Sequence, residues 1–395
     1  MKNKEIYLDN SATTSVDPAV FKKMQPYFYQ EYGNPSSVHK LGEKARQAME
    51  KAREQVASFL NCFPEEIYFT AGATESNNWL IYGLINKITE ESSFKPHIII
   101  SAFEHKSVIE PAKYLEKNNL AELTLLPVSK DGLVELDILK KAIKKNTRLI
   151  SIMYANNEVG TVQPIKEIGK LIKEINQSRK QKIVFHTDAV QAINYLDCNV
   201  NSLGIDALSL SGHKIYGPKG IGILYLRKEI PIISLIRGGG QERNMRSGTE
   251  NLAGIVGLGE AMKKVKSLGS IYNQNIKKLR NKLITGILKD ISNSQINGSM
   301  ENRLPNNAHI SFRGAEGESI VMALSQKNIF VSTASACASH SLEPSYVLIS
   351  IGLSPEQAHG SVRFSLGRWT TNQDIEYVLK ILPDIIKRLR KISGR

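Results

Sequence analysis

Asp188 closes the apolar run Ile183-Val-Phe-His-Thr-Asp188, and Lys214 closes the next one, through Ser209-Leu-Ser-Gly-His-Lys214. A carboxylate that ends an apolar strand is expected to be at least partly buried, so it needs a cationic partner or several hydrogen-bond donors. A lysine in that position is either a surface cap or a buried amine whose lowered pKa lets it form Schiff bases. Placed at the ends of successive strands, the two are the pair a pyridoxal phosphate site needs. The amine holds the aldehyde, and the carboxylate keeps the pyridine nitrogen protonated so that the ring draws electrons.

Other strand ends add to this. After Ile67-Tyr-Phe-Thr70 comes Ala71-Gly-Ala-Thr-Glu75, small residues opening a helix. Free backbone N–H groups and the helix dipole make such a turn a seat for phosphate, although most strand–Gly–helix turns are only connections. Glu104-His-Lys106 follows the run His97–Ser101, and Asn156, Asn157 and Glu158 follow Ile150–Tyr154. In the last third, Ser332-Thr-Ala-Ser-Ala-Cys-Ala-Ser-His-Ser341 sets Cys337 among small polar residues. That setting suits a thiolate that must reach into a site and leave it, whereas Cys62 and Cys198 read as small buried hydrophobes. Arg363, within Ser361-Val-Arg-Phe-Ser365, is a candidate clamp for a substrate carboxylate, with a salt bridge as the alternative.

The elements that must position these residues follow from hydrophobic periodicity. Between residues 40 and 230, short apolar runs alternate with amphipathic segments such as Leu41–Leu60, Val108–Lys117, Leu136–Lys145 and Ile165–Ile175. This predicts an α/β fold, a mostly parallel sheet with helices on both faces, whose chemistry gathers at the carboxyl ends of the strands. Expected strands include Leu123–Val128, Arg148–Tyr154, Ala207–Ser211 and Ile221–Leu226. A long helical segment then runs from Asn251 to about Lys289. Strands at His309–Phe312, Ile329–Ser332 and Ser361–Leu366 follow, with helices at Glu318–Lys327 and from Asp374. The expectation is a large domain over residues 15–255, with 1–14 and 256–395 forming a smaller α+β domain that carries the Cys337 segment.

Composition narrows the class. The 395 residues carry 52 Lys+Arg against 38 Asp+Glu, a net charge of +14, but the bases are scattered as solvated helix faces. No RNA-recognition signature or aromatic platform supports stable nucleic-acid binding. Three widely spread cysteines exclude a disulfide framework and a Cys-rich zinc site. No apolar run is long enough to cross a bilayer, and the first residues resemble neither a signal nor a transit peptide, so the expected location is cytoplasmic. Gly217-Pro-Lys-Gly-Ile-Gly222 lies between two strands rather than opening a helix, which argues against a dinucleotide site.

Several segments together resemble the cysteine desulfurases of the NifS/IscS type. They are Tyr7-Leu-Asp-Asn-Ser-Ala-Thr-Thr14, Phe69-Thr-Ala-Gly-Ala-Thr-Glu-Ser-Asn77, Glu104-His-Lys106, Ser211-Gly-His-Lys-Ile-Tyr-Gly-Pro-Lys-Gly220, Arg246-Ser-Gly-Thr-Glu-Asn251 and Ser335-Ala-Cys-Ala-Ser339. The resemblance spans nearly the whole chain. It implies fold-type I pyridoxal phosphate enzymes of the class V aminotransferase group, homodimers that take sulfur from L-cysteine and leave L-alanine and an enzyme persulfide.

By this resemblance Lys214 is the Schiff-base lysine and Cys337 the persulfide carrier. His105 stacks on the pyridine ring and shuttles protons, Asp188 pairs with the ring nitrogen, and Gln191 meets the phenolic oxygen. Ala73, Thr74, Ser211 and His213 form the phosphate cup, with Thr249 supplied by the second subunit. Asn34, Asn157 and Arg363 face the substrate, and Asn157 also borders the cofactor. No resident metal is implied; Cys337 would at most hold an iron–sulfur cluster in passing. The segment ending Leu342-Glu-Pro-Ser345 resembles the long-loop group, which passes sulfur over a distance to an iron–sulfur scaffold or to a sulfur carrier for tRNA thiolation. Many housekeeping members continue past the last helix with a short docking tail, and Lys391-Ile-Ser-Gly-Arg395 departs from the resemblance at that point, which leaves docking through such a tail open. Tyr154-Ala-Asn-Asn-Glu-Val-Gly160 and Gly239-Gly-Gln-Glu242 are closer to NifS-like members. Within the same fold, a selenocysteine lyase or an aminotransferase is the rival reading.

Overall fold

The chain runs from β1 (Ile6–Tyr7) into the alternating region, which supplies β2 (Ile67–Thr70), β3 (His97–Ser101), β4 (Glu122–Leu126), β5 (Thr147–Ser151), β6 (Val184–Asp188), β7 (Ala207–Ser211) and β8 (Gly222–Leu226). The structure is a computed structural model and describes residues 4–91, 94–333 and 343–394. Among the described residues, β2 to β8 form one seven-stranded sheet in the order β2-β8-β7-β6-β5-β3-β4. Every pair from β7 to β4 is parallel, whereas β8 runs antiparallel to both β7 and β2. The mostly parallel α/β sheet expected from the sequence is therefore present, with one reversed strand. The reversal has a local cause. A parallel neighbour needs a crossover of a dozen or more residues, but β7 leads into the single turn Gly212–Lys214 and residues 212–221 return the chain at once.

Side-chain alternation assigns each face of the sheet to its own core. Ile99, Ile150, Phe185, Leu208 and Ile223 pack with Val56, Leu60, Ile168 and Met262 in one. Ile98, Ile100, Leu149, Val184 and Leu224 pack with Leu80, Leu84, Ile109 and Leu115 in the other. The helices Lys40–Leu60 and Ile165–Gln177 thus cover one face, and Ala73–Glu91 and Lys106–Lys117 cover the other. At one edge the backbones nearly touch: a Cβ on Gly222 would lie 2.4 Å from the Leu210 carbonyl oxygen and 2.7 Å from the Gly72 Cα. Glycine there lets the turn before the Ala73–Glu91 helix lie directly on β8.

The later elements are β9 (Ser294–Ile296), β10 (Asn307–Phe312), β11 (Ile329–Phe330) and β12 (Ser361–Ser365). An antiparallel sheet of order β12-β10-β9 and the parallel pair β1–β11 share a separate core with the helices Gly317–Ser325 and Asn372–Ile392. Ile6 and Leu8 belong to that core. The helix Leu252–Asp290 joins the two parts. Its residues up to Val265 pack in the first core and those from Ile276 in the other, and Gly269 breaks it between them with φ 58° and ψ −159°.

Two expected boundaries shift for visible reasons. The segment Arg148–Tyr154 is strand only to Ser151, although the Ile152 and Tyr154 N–H groups still reach the His186 and Asp188 carbonyls. The helix from Leu136 ends at Ala142, because Ile143 turns extended and the Lys144 N–H donates to Thr147 Oγ1. No helix among the described residues is long and apolar enough to cross a membrane.

Candidate active site

A cavity of about 710 Å³ opens at the carboxyl ends of β6 and β7. Asp188 lies in its floor, 4% exposed. Its Oδ2 accepts from Asn77 Nδ2 (2.9 Å), and its Oδ1 accepts from the Val190 N–H (3.0 Å). Asn77, on the Ala73–Glu91 helix, also donates to Ser107 Oγ (2.9 Å). The Ser107 hydroxyl then lies 2.8 Å from His105 Nδ1, which accepts the Ser107 backbone N–H as well (3.1 Å). His105 is thereby the N-cap of the Lys106–Lys117 helix. With Nδ1 occupied as an acceptor, the proton of the neutral ring belongs on Nε2.

Lys214 reaches the same floor from the turn after β7. Its Nζ donates to the backbone carbonyls of Ser11 (2.5 Å) and Ala12 (2.7 Å), and Gln191 Nε2 donates to the Ser11 carbonyl (3.0 Å). The segment carrying those carbonyls is fixed in turn: the Thr14 N–H and Oγ1 both donate to the His213 carbonyl at 2.9 Å.

An adjoining cavity of about 520 Å³ shares Ala73, Thr74, Ser211 and His213 with the first and adds Lys219. The Ala73 N–H donates to Ser211 Oγ (2.8 Å), tying the start of a 19-residue helix to the end of β7. Burial, then Lys214 and Lys219, push the His213 imidazole down to about 4, so it is neutral at pH 7. Backbone N–H groups at a helix start, a serine hydroxyl, a neutral histidine and a lysine suit a phosphate. In the floor, the Ser11 hydroxyl is buried with no protein partner among the described residues. An amine, a buried carboxylate and this anion seat in continuous cavities fit pyridoxal phosphate.

The outer wall comes from distant parts of the chain. Arg363 on β12 donates from Nη1 to the Asn157 carbonyl (2.9 Å) and pairs through Nη2 with Asp9 (2.8 Å). Its Nε is buried with no partner among the described residues. The next two carbonyls are also gripped: Asn307 Nδ2 donates to the Glu158 oxygen (2.9 Å) and Arg303 Nη1 to the Val159 oxygen (2.7 Å). The Glu158 carboxylate accepts from Ser345 Oγ at 2.5 Å. Burial lifts its pKa to about 7, against the lowering effects of Ser345, Arg363 and His105. Glu104 is also fully enclosed. Burial lifts its pKa to about 8, although Ser101 Oγ and the Met153 N–H donate to Oε1.

One cavity therefore gathers Ala73, Thr74, His105, Asn157, Asp188, Gln191, Ser211, His213, Lys214 and Arg363, all singled out from the sequence. Asn34 and Thr249 are exposed and line neither cavity; Asn34 Oδ1 accepts the Ser36 N–H. Cys337 lies outside the described residues. Cys198 is buried, and burial holds its thiol far above the usual range, while Cys62 is pushed up to about 12, so burial disfavours the thiolate at both. Sequence reasoning missed Asn77, Ser107, the Ser11 and Ala12 carbonyls, and Ser345. Asn77 had a signal, an amide one turn into the helix that follows the phosphate seat; backbone carbonyls have none.

Comparison with known proteins agrees with this geometry. The chain is 47% identical over 393 residues to the cysteine desulfurase IscS of Clostridium botulinum strain Hall, covering 99% of this chain and 96% of that one. It is 47% identical over 392 residues to the cysteine desulfurase IscS of Methanosarcina thermophila, covering 99% and 94%. Among solved structures, a NifS-like protein superposes with a TM-score of 0.90 at 39% identity, covering 98% of this chain and all of the other. SspA in complex with cysteine gives 0.80 at 38% identity, covering 93% and 100%. Residues 6–378 match the family described as aminotransferase class-V, whose members use pyridoxal phosphate. With the lysine, the carboxylate and the anion seat in one cavity, the chain belongs to the class-V aminotransferase family.

Proposed function

We propose that this protein is a cysteine desulfurase, which removes sulfur from L-cysteine and leaves L-alanine. The observation that carries the reading is one cavity holding the Lys214 amine, the Asp188 carboxylate and the phosphate seat of Ala73, Thr74, Ser211 and His213. Bound there, pyridoxal phosphate would supply an electron sink for the substrate's α-carbon, linked through the substrate's amino nitrogen. Asp188 keeps the ring nitrogen protonated, itself oriented by Asn77 and the Val190 N–H. Gln191 would hold the cofactor's phenolic oxygen. Lys214 anchors the cofactor, then takes the substrate's Cα proton and returns it. His105, with its proton on Nε2, carries protons at the cavity floor, a contribution of about 10²–10⁴-fold for a positioned group. Arg363, its plane fixed by Asp9 and the Asn157 carbonyl, lines the cavity and would clamp the substrate carboxylate.

The sulfur acceptor is the Cys337 thiolate. Its sulfur attacks the substrate sulfur, the Cβ–S bond breaks with its electron pair passing to carbon, and that carbon takes a proton. The products are L-alanine and a Cys337 persulfide, so the step needs no outside oxidant. A homodimer supplying Thr249 to the neighbouring phosphate seat, a cytoplasmic location, and an iron–sulfur scaffold or thiolation carrier as next acceptor complete the proposal. Asn34 belongs to the same proposal as a substrate-facing residue. The division into residues 15–255 and a smaller unit of 1–14 and 256–395 is supported by the change of core along the Leu252–Asp290 helix.

The test is a visible absorption spectrum of the purified protein before and after L-cysteine, with alanine assayed in the same tube. A cofactor band that shifts with cysteine, together with matching alanine, supports the reading. A colourless protein that pyridoxal phosphate cannot reconstitute overturns it.

A further inference from the structure

Glu158 and Ser345 are 187 residues apart in sequence, and their side chains meet at 2.5 Å on the cavity wall. The Ser345 hydroxyl has two partners: its hydrogen goes to Glu158 Oε2, and its oxygen accepts the Leu348 N–H, capping the helix Tyr346–Ser350. The next residue repeats the attachment, since Tyr346 Oη donates to the Glu104 carbonyl (2.6 Å). Val347 and Leu348 then pack with Phe103, Met153 and Val159 in a small apolar cluster of their own. Three independent contacts thus fix this short helix to the two segments, 103–105 and 153–159, that carry His105 and Asn157.

Glu158 is a firm mount. The carbonyls of residues 157, 158 and 159 are held by Arg363, Asn307 and Arg303, and the Asn156 side chain accepts the Glu158 and Val159 N–H groups (2.8 and 3.0 Å). The backbone on both sides of the carboxylate is therefore fixed. Ser345 is the eighth residue after Cys337. We propose that Glu158 is a positioning residue for sulfur transfer, which acts through Ser345 to fix the Ser345–Ser350 segment against the substrate pocket. The inference rests on the desulfurase reading above. The contact is with Ser345 and not with the reacting atoms, so Glu158 affects the transfer step and leaves substrate binding alone.

The test compares Glu158→Ala, Glu158→Gln, Ser345→Ala and the double variant Glu158→Ala/Ser345→Ala in the holoenzyme. Glu158→Ala and Ser345→Ala should each lower kcat about tenfold or more, in line with the cost of misplacing a reacting group, with KM within about twofold and the cysteine-induced spectral shift intact. The double variant should be no worse than either single one, and Glu158→Gln, which keeps an acceptor for Ser345, should regain most of the rate. Amide hydrogen exchange over residues 345–350 should quicken in both alanine variants, a readout independent of turnover. Unchanged exchange, additive losses, or a change confined to KM would overturn the proposal. Should the wild-type protein form no persulfide on Cys337, the desulfurase reading itself fails, while the exchange data still decide whether Glu158 holds the segment. Ser345→Ala serves as the second route if Glu158→Ala does not fold.

Discussion

The floor of the cavity takes its reactive groups from strand ends, and the outer wall is gripped by side chains of the second sheet. The floor comes from successive strand ends and the helices beside them: Asp188 ends β6, Lys214 follows β7, and Asn77 and His105 lie at the starts of the two helices on one face. Its polar groups largely satisfy one another, across 111 positions from Asn77 to Asp188 and 203 from Lys214 to Ser11. The wall is assembled from residues far apart in sequence, with Arg363 meeting Asp9 across 354 positions and Ser345 meeting Glu158 across 187. Its backbone carbonyls are held by side chains of the second sheet and its neighbourhood, Arg303, Asn307 and Arg363. The floor can thus carry chemistry that must not move, while the wall sets where substrate and acceptor stand relative to it.

Substitutions separate the two, from the largest effect to the smallest. Lys214→Ala removes the floor's amine; turnover should fall by at least about 10²–10⁴-fold, with loss of the lysine-linked cofactor band. Asn77→Ala leaves Asp188 Oδ2 and Ser107 Oγ without their donor. It should cost about 1–3 kcal/mol in urea unfolding, the penalty for buried groups left unpaired, and lower kcat as well. Arg303→Met strips partners from the Ser299, Val159 and Asn297 carbonyls. It should cost at least about 2 kcal/mol and raise KM more than it lowers kcat. If it instead abolishes the cofactor band, floor and wall are not separable.

The remaining effect is one of pH. The Glu104 carboxyl stays protonated in the folded chain up to about pH 8, whereas its ordinary value is 4.5. Between those values the folded state binds the extra proton, so Glu104 makes stability fall as pH rises through that window. Glu104→Gln should flatten this slope, raising the melting temperature more at pH 8.5 than at pH 6. Equal shifts at both would place the carboxyl's ionisation outside the window.

The floor was the legible part of the sequence, because a chemically active residue at the end of an apolar run advertises itself. Asp188, Lys214 and the Ala71–Glu75 turn needed only a period-two pattern and its endpoint. The reversed strand β8 was not legible, since the apolar run Ile221–Leu226 reads the same in either direction. Nor was the pairing of Ser11 and Ala12 with Lys214, where backbone carbonyls do the work. Arg363 was legible as a carboxylate clamp or a salt-bridge partner, but not which groups hold it, Asp9 after β1 and the Asn157 carbonyl after β5. Glu158 stood out as a polar strand end, yet its partner could not be read, because nothing local links it to Ser345.

The central claim, that sulfur leaves L-cysteine for Cys337, is tested most directly by one single-turnover experiment. The wild-type holoenzyme and Cys337→Ser are mixed with L-cysteine without reductant, then quenched with an alkylating agent and analysed by intact-mass and peptide mass spectrometry alongside alanine. The account predicts one added sulfur on Cys337 per alanine in the wild type. In the variant it predicts a cysteine-induced spectral shift with neither product. Alanine and sulfide released by Cys337→Ser at the wild-type rate would contradict it.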